Sequence, residues 1–246
     1  MTRAGARRRG LVWAGVGAGV LIVGIAAVIA TRLGPEPGGP TPSGSTSVTS
    51  PTSPATPTPL PTTGAAVDPS VTERGWVPEP ITTDAEAYVR AALAAASTFD
   101  TTKSTRDAWL DYLDTWFTPD TRYATQTDRE QDMRASQLEL RQGVVLPENR
   151  WNSLAEEKGR VVARVNGDVA FSEVPSDASG DMTIGTADVT LTFTSTDGAG
   201  GELSYDETAR VSVQVLCGPA SIPTPNSAQH AGDCKVVRYF SGTVEP

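Results

Sequence analysis

Histidine and cysteine are scarce in this chain, with one His and two Cys among 246 residues. His230 alone cannot build a zinc cluster of the usual Cys/His spacing. A His-dependent triad would pair His230 with Asp233, but no nucleophile-elbow pattern accompanies them. His230 therefore reads as a solvated loop residue. No glycine-rich loop of the phosphate-cradling kind occurs. Gly198, Gly200 and Gly201 read instead as hairpin residues that supply positive φ. The expectation is no catalytic residue, no metal site and no cofactor.

Basic charge is also short. The chain has 20 Lys and Arg against 29 Asp and Glu, a formal net charge of −9. Five of the basic residues (Arg3, Arg7, Arg8, Arg9, Arg32) and one acidic residue (Glu36) precede the main body, which leaves 15 basic against 28 acidic side chains there. Such a surface repels phosphates, so nucleic acid is excluded as a partner.

Long hydrophobic runs are absent with one exception, residues 11–30 (LVWAGVGAGVLIVGIAAVIA). As a helix rising 1.5 Å per residue, the run is about 30 Å long, the thickness of a bilayer core. Residues 1–10 carry Arg3, Arg7, Arg8 and Arg9, so this basic tail is expected in the cytoplasm and the rest of the chain outside. A cleaved signal peptide ending at Ala30 is the competing reading. Its apolar core would be about 7–15 residues, shorter than this run, which favours a retained single-pass anchor. Gly15 and Gly19 form a GxxxG pair, a candidate face for a homodimer within the membrane.

Residues 31–80 are dominated by Pro, Thr, Ser, Gly and Ala. They lack the apolar side chains that offset ordering entropy, so a disordered, stalk-like linker is expected, with Trp76 docking on the domain after it. Leu60-Pro61-Thr62-Thr63-Gly64 matches a sortase pattern, but a folded domain comes after it instead of an apolar stretch and basic tail.

Residues 81–246 read as one α+β domain. Three helices are expected, each after a polar cap. The first, near 84–98, follows Thr83. The second, at 104–118, carries Trp109, Tyr112, Leu113, Trp116 and Phe117 and ends before Pro119. The third, weakly amphipathic through Met133 and Leu138, lies in the polar stretch 121–142, with a cap at Thr127. A connector, 143–159, leads to segments with period-two alternation at 160–174, 182–196, 203–217 and 235–244. These are about four antiparallel strands of a curved sheet. Asn166-Gly167 interrupts the first strand as a bulge or a turn, and a bulged or bent strand is favoured. Cys217 ends one strand and Cys234 begins the next. Antiparallel pairing brings them together, and an oxidising compartment makes them a disulfide.

Two side-chain groups are candidates for function. Trp109, Tyr112 and Trp116 either fill a core or line a pocket. Asp107, Asp111 and Asp114 fall at helical spacing on one face. They read as an exposed acidic surface or, in an enzyme, as the source of a general base.

Three helices followed by four long antiparallel strands, with the aromatic helix running into Phe117-Thr118-Pro119-Asp120, resembles the nuclear-transport-factor-two-like cone over roughly residues 83–244. Exported single-pass versions are similar to two actinobacterial groups, the Mce-associated membrane proteins and the bitopic scaffold subunits of conjugative and type IV secretion systems. The resemblance implies a non-catalytic envelope scaffold whose partners are other envelope proteins. The long Pro/Thr stalk departs from both groups. A cavity-bearing ligand-binding or sensory module and a cone-fold enzyme are the alternatives.

Overall fold

The computed structural model describes residues 65–197 and 199–242. The apolar run 11–30, Gly15 and Gly19, and residues 31–64 lie outside them. Among the described residues no helix is long and apolar enough to cross a membrane.

After a 3₁₀ turn, Pro69–Arg74, the order is α1 (Ala85–Ala95), β1 (Phe99–Asp100), α2 (Arg106–Asp114), α3 (Gln126–Glu139), a π turn (Leu140–Val144), α4 (Glu148–Glu156), β2 (Arg160–Glu173), β3 (Met182–Thr196), β4 (Glu202–Leu216) and β5 (Lys235–Phe240). The α+β class and the four long strands agree with the sequence reading. Two elements differ. The expected connector contains α4, which places Trp151 in the core, so the described residues hold four α-helices where three were expected for the domain. A two-residue strand, β1, makes the sheet five-stranded, in the order β1-β2-β3-β4-β5, every pair antiparallel.

Helix starts are set by local hydrogen bonds. Asp84, not Thr83, caps α1, accepting from the Glu86 and Ala87 amides. Thr105 caps α2 through the Ala108 amide, and Thr125, not Thr127, caps α3 through the Asp128 amide. Each supplies an oxygen to an amide that has no partner within the helix. α2 stops at Asp114, earlier than Pro119 requires. The chain beyond it is claimed by the sheet: Phe117 forms a bridge with Val236, the Thr118 amide donates to the Val236 carbonyl, and the Val236 amide donates to that of Trp116.

The sheet curls about α1. Ala91, Ala92, Ala94 and Ala95 keep this helix slim, and Gly185 on β3 lets it approach the strands. A Cβ at Gly185 would stand 2.6 Å from Val89 Cγ1 and 3.1 Å from Val169 Cγ1. In β2 the register shifts between Asn166 and Ala170, so the Asn166-Gly167 interruption is a bulge. Gly167 adopts φ +59°, a conformation that costs glycine little.

Residues 65–80, expected to belong to the linker, are part of the folded head. Val67 donates its amide to the Glu79 carbonyl and Ile81 donates to Ala65, closing the segment into a loop. Trp76 is buried, stacks on Tyr112 at 5.0 Å, and donates Nε1–H to Ser104 Oγ at 2.9 Å. Trp76, Val71 and the Glu79 carboxylate, all buried, tie this stretch to the core.

Candidate functional site

Glu79 and Lys235 form the most concentrated polar cluster of the interior. Their side chains are 0 % and 1 % exposed, and Lys235 Nζ lies 2.7 Å from Glu79 Oε1. Lys235 is the first residue of β5, next to the disulfide-bonded Cys234. Glu79 arrives from the loop 65–81, whose own backbone fixes it: the Glu79 amide donates to Tyr112 Oη at 3.0 Å, and that hydroxyl donates to the Val77 carbonyl at 2.8 Å.

Every donor on the ammonium is used. Nζ donates to Glu79 Oε1, to the Thr115 carbonyl at 2.8 Å and to Thr224 Oγ1 at 2.7 Å. Glu79 Oε1 also accepts from Tyr88 Oη at 2.7 Å and from Gln229 Nε2 at 3.2 Å. The single Thr224 hydroxyl proton is shared between the Thr115 carbonyl, 3.0 Å away, and Glu79 Oε2, 3.3 Å away. A buried charge pair persists only with this degree of satisfaction, because its desolvation costs several kcal/mol per ion.

Burial pushes the Lys235 ammonium below the usual lysine pKa, and the Glu79 carboxylate pulls it partly back. Burial, then the Glu79 charge, pushes the Tyr88 phenol well above its usual value. A Lys of lowered pKa beside a carboxylate suggests acid–base chemistry. Here the pair is enclosed, its hydrogen-bonding capacity is taken up by protein groups, and it joins four separate segments of chain: 65–81, α1, the turn after α2, and the 218–235 region. It is a clasp.

The residues singled out in the sequence fall elsewhere. Trp109 and Trp116 are fully buried and Tyr112 partly so. Trp109 packs on Phe99 at 5.0 Å and Trp151 at 5.5 Å, while Trp116 packs on Tyr88 at 5.8 Å and Tyr112 at 6.0 Å. They fill the core. The pocket-lining expectation is corrected for this reason: α4 brings in Trp151 and the loop 65–81 brings in Trp76, so the aromatic helix is covered on both flanks. An opening of about 230 Å³ does exist, but Phe99, Val144, Leu146, Val161, Leu191 and Phe193 are among its walls and none of the three predicted residues is.

Asp107 is exposed, and Asp111 and Asp114 both pair with Arg141 at the π turn. Burial raises the Asp114 carboxyl above the usual aspartate range, and Arg141 pulls it back in part. These acids tie α2 to the π turn. His230 is exposed, its amide donating to Asp233 Oδ2 at 2.7 Å. Cys217 and Cys234 are disulfide-bonded, and the neighbouring Leu216 and Lys235 are partners in the β4–β5 ladder. Among the described residues no group of acids, His and Cys could hold a metal ion.

Sequence reasoning missed the clasp. Glu79 sits in Pro78-Glu79-Pro80, inside a stretch whose composition reads as linker. Lys235 begins a strand, where a lysine reads as exposed. Nothing in either neighbourhood marks the two, 156 residues apart, as partners.

No protein-family model matches the chain, and no curated protein matches it. Among solved structures it is similar to CagV, a VirB8 homolog of a type IV secretion system from Helicobacter pylori, at 17 % identity over 63 % of this chain and 92 % of that one, with a TM-score of 0.34. At that score the two folds are not shown to be the same, and what CagV does stays with CagV.

Proposed function

We propose that this chain is a membrane-anchored scaffold of the cell envelope with a non-catalytic, protein-binding head. In this reading residues 1–10 are cytoplasmic, 11–30 cross the membrane once, 31–64 reach outward, and the head from residue 65 engages other envelope proteins. The observation that carries it is the clasp. The first stretch of the folded head is joined to the core by a buried ion pair, so tension entering the head from residue 64 is carried into the core. The saturated hydrogen bonding of Glu79 and Lys235 supports a mechanical role over a chemical one.

Two experiments test this. Reporter fusions at residue 10 and residue 64 are expected to show opposite sides of the membrane, and a mature N-terminus at Thr31 would remove the anchor. A photo-reactive residue scanned over exposed positions of the head, in cells, is expected to give discrete cross-links to envelope proteins. Absence of cross-links from every position would sink the scaffold reading. The opening beside Phe99 and Phe193 favours a small apolar ligand as the second reading. Its volume of about 230 Å³ is below the roughly 300–1,000 Å³ of ordinary ligand sites.

A further inference from the structure

β4 presents a long strand edge. β4 pairs with β3 without a bulge from Met182↔Leu216 to Thr196↔Glu202. On its other side β5 covers only residues 212–216. At Ser241 the chain has turned toward α3, where the Ser241 amide and hydroxyl reach Glu139 Oε1. Residues 202–211 therefore have no strand on their outer side among the described residues. An edge of this length presents about 33 Å of backbone donors and acceptors. Proteins ordinarily blunt such edges with Pro, Lys or a bulge. Pro, Lys and a bulge are absent here, the charges are mostly acidic (Glu202, Asp206 and Glu207 against Arg210), and Leu203 and Tyr205 stand 59 % and 51 % exposed, with Tyr205 stacked on Phe193 at 5.0 Å.

From this edge we infer that residues 202–211 accept an extended strand from a different protein, one that carries basic residues opposite Asp206 and Glu207 and apolar residues beside Leu203 and Tyr205. This rests on the scaffold reading and names the surface and the kind of partner. Strand addition takes affinity from the backbone and specificity from alternate side chains. Tyr205 and Glu207 share the face that carries Phe193 and Leu191, their partners on β3, while Asp206 lies on the other face opposite Thr192. Asp206 accepts from Thr192 Oγ1, and neither Asp206 nor Glu207 has an ion pair among the described residues.

Charge decides between occupants. When two copies of this edge overlap fully in antiparallel register, Asp206 of one faces Glu207 of the other. A shift of one position opposes Asp206 to Asp206, with Arg210 opposite Glu202 at either end, or opposes Glu207 to Glu207. Sliding until Arg210 meets Asp206 drives residues 202–204 of the copy into the space β5 occupies beside 212–214. Sliding the other way sets the acids first against Tyr205, Ser204 and Leu203, and then against Glu202. Like charges directly opposed across strands are destabilising, and no register of two copies that stays clear of β5 gives Asp206 or Glu207 a base, which a strand from a different protein can supply. The chain's own linker is no better suited, since residues 33–73 contain no Lys or Arg and are rich in Pro, which cannot donate to a ladder.

The test uses two ten-residue peptides of alternating Val and Thr, one with two central Lys and one with two central Glu, titrated against the full chain in detergent. The Lys peptide is expected to bind at least tenfold more tightly than the Glu peptide, and to slow amide exchange over 202–211 and not in β5. Asp206→Lys with Glu207→Lys is expected to reverse the preference. Equal binding of both peptides, or of neither, overturns the inference. So does edge protection in the free chain, whether sedimentation shows a dimer or a chain ending at Gly242 loses that protection. In cells, cross-links from Leu138 but not from Tyr205 would end this proposal and leave the scaffold intact, whereas silence from both and from every other position removes the scaffold itself.

Discussion

Lys235 Nζ stands 2.7 Å from Glu79 Oε1 with neither side chain exposed, although the two arise at opposite ends of the folded head. Removing one partner strands the other as a buried charge. Glu79→Leu or Lys235→Met alone is therefore expected to lower unfolding free energy by about 3–5 kcal/mol. The double variant should recover much of this. The remainder reflects the Tyr88 hydroxyl and Gln229 amide left without Glu79, about 1–3 kcal/mol for each group unsatisfied. Urea unfolding of all four chains checks the cycle, and strictly additive losses would contradict the pairing.

Reduction acts on the same region. The Cys217–Cys234 disulfide closes the segment that delivers Thr224 and Gln229 to the clasp, with a sequence separation of 17. Closing a loop of that size stabilises by about 3 kcal/mol in the chain-entropy model. Cys217→Ser with Cys234→Ser should lose about that much, and amide exchange over 65–82 should quicken with it. Free thiols in the native protein would contradict the bond.

Gly185→Ala tests the approach of α1 to β3. The added Cβ meets two valine side chains in a packed core, Val89 and Val169. Overpacking of this kind costs about 1–3 kcal/mol. A matching Val89→Ala change is expected to restore part of the loss. If Gly185→Ala leaves the melting temperature unchanged, the contact is looser than the structure has it.

Asp114 predicts a pH dependence. Its folded pKa is raised, chiefly by burial, so the folded state holds the proton more tightly than the unfolded chain does. Its stabilising contribution is complete below the ordinary aspartate pKa and is lost as pH rises through the raised value. The stability of the native protein relative to Asp114→Asn should therefore be highest in acid and decline toward neutrality. A difference that grows with pH would show that Arg141 dominates over burial.

Much of the domain was legible in order. The alternation of Ile184, Val189, Leu191 and Phe193, or of Val211, Val213 and Val215, depends only on which face of a strand is covered, and that pattern is local. The α1 stripe is equally local. α4 was missed because Glu148–Glu156 buries only Trp151, too little for a helical period to stand out. The aromatic residues of α2 were ambiguous because a pocket wall and a packed core need the same side chains. Trp76 and Trp151, both distant in sequence, decided for the core.

By itself the sequence determined the two-period strands, the pairing of Cys217 with Cys234 across adjacent strand ends, and the acidic character of the head. Each arises from spacing or composition within a short span. Tertiary structure alone decided that residues 65–80 belong to the folded head, since Pro78-Glu79-Pro80 carries no local signal and is held by partners between nine and 156 residues away. It alone decided that β4 is an edge over residues 202–211, because exposure of a strand side depends on how far β5 extends and where the chain turns after Phe240. Local patterns record which side of an element is apolar, and only assembly records what ends up beside it.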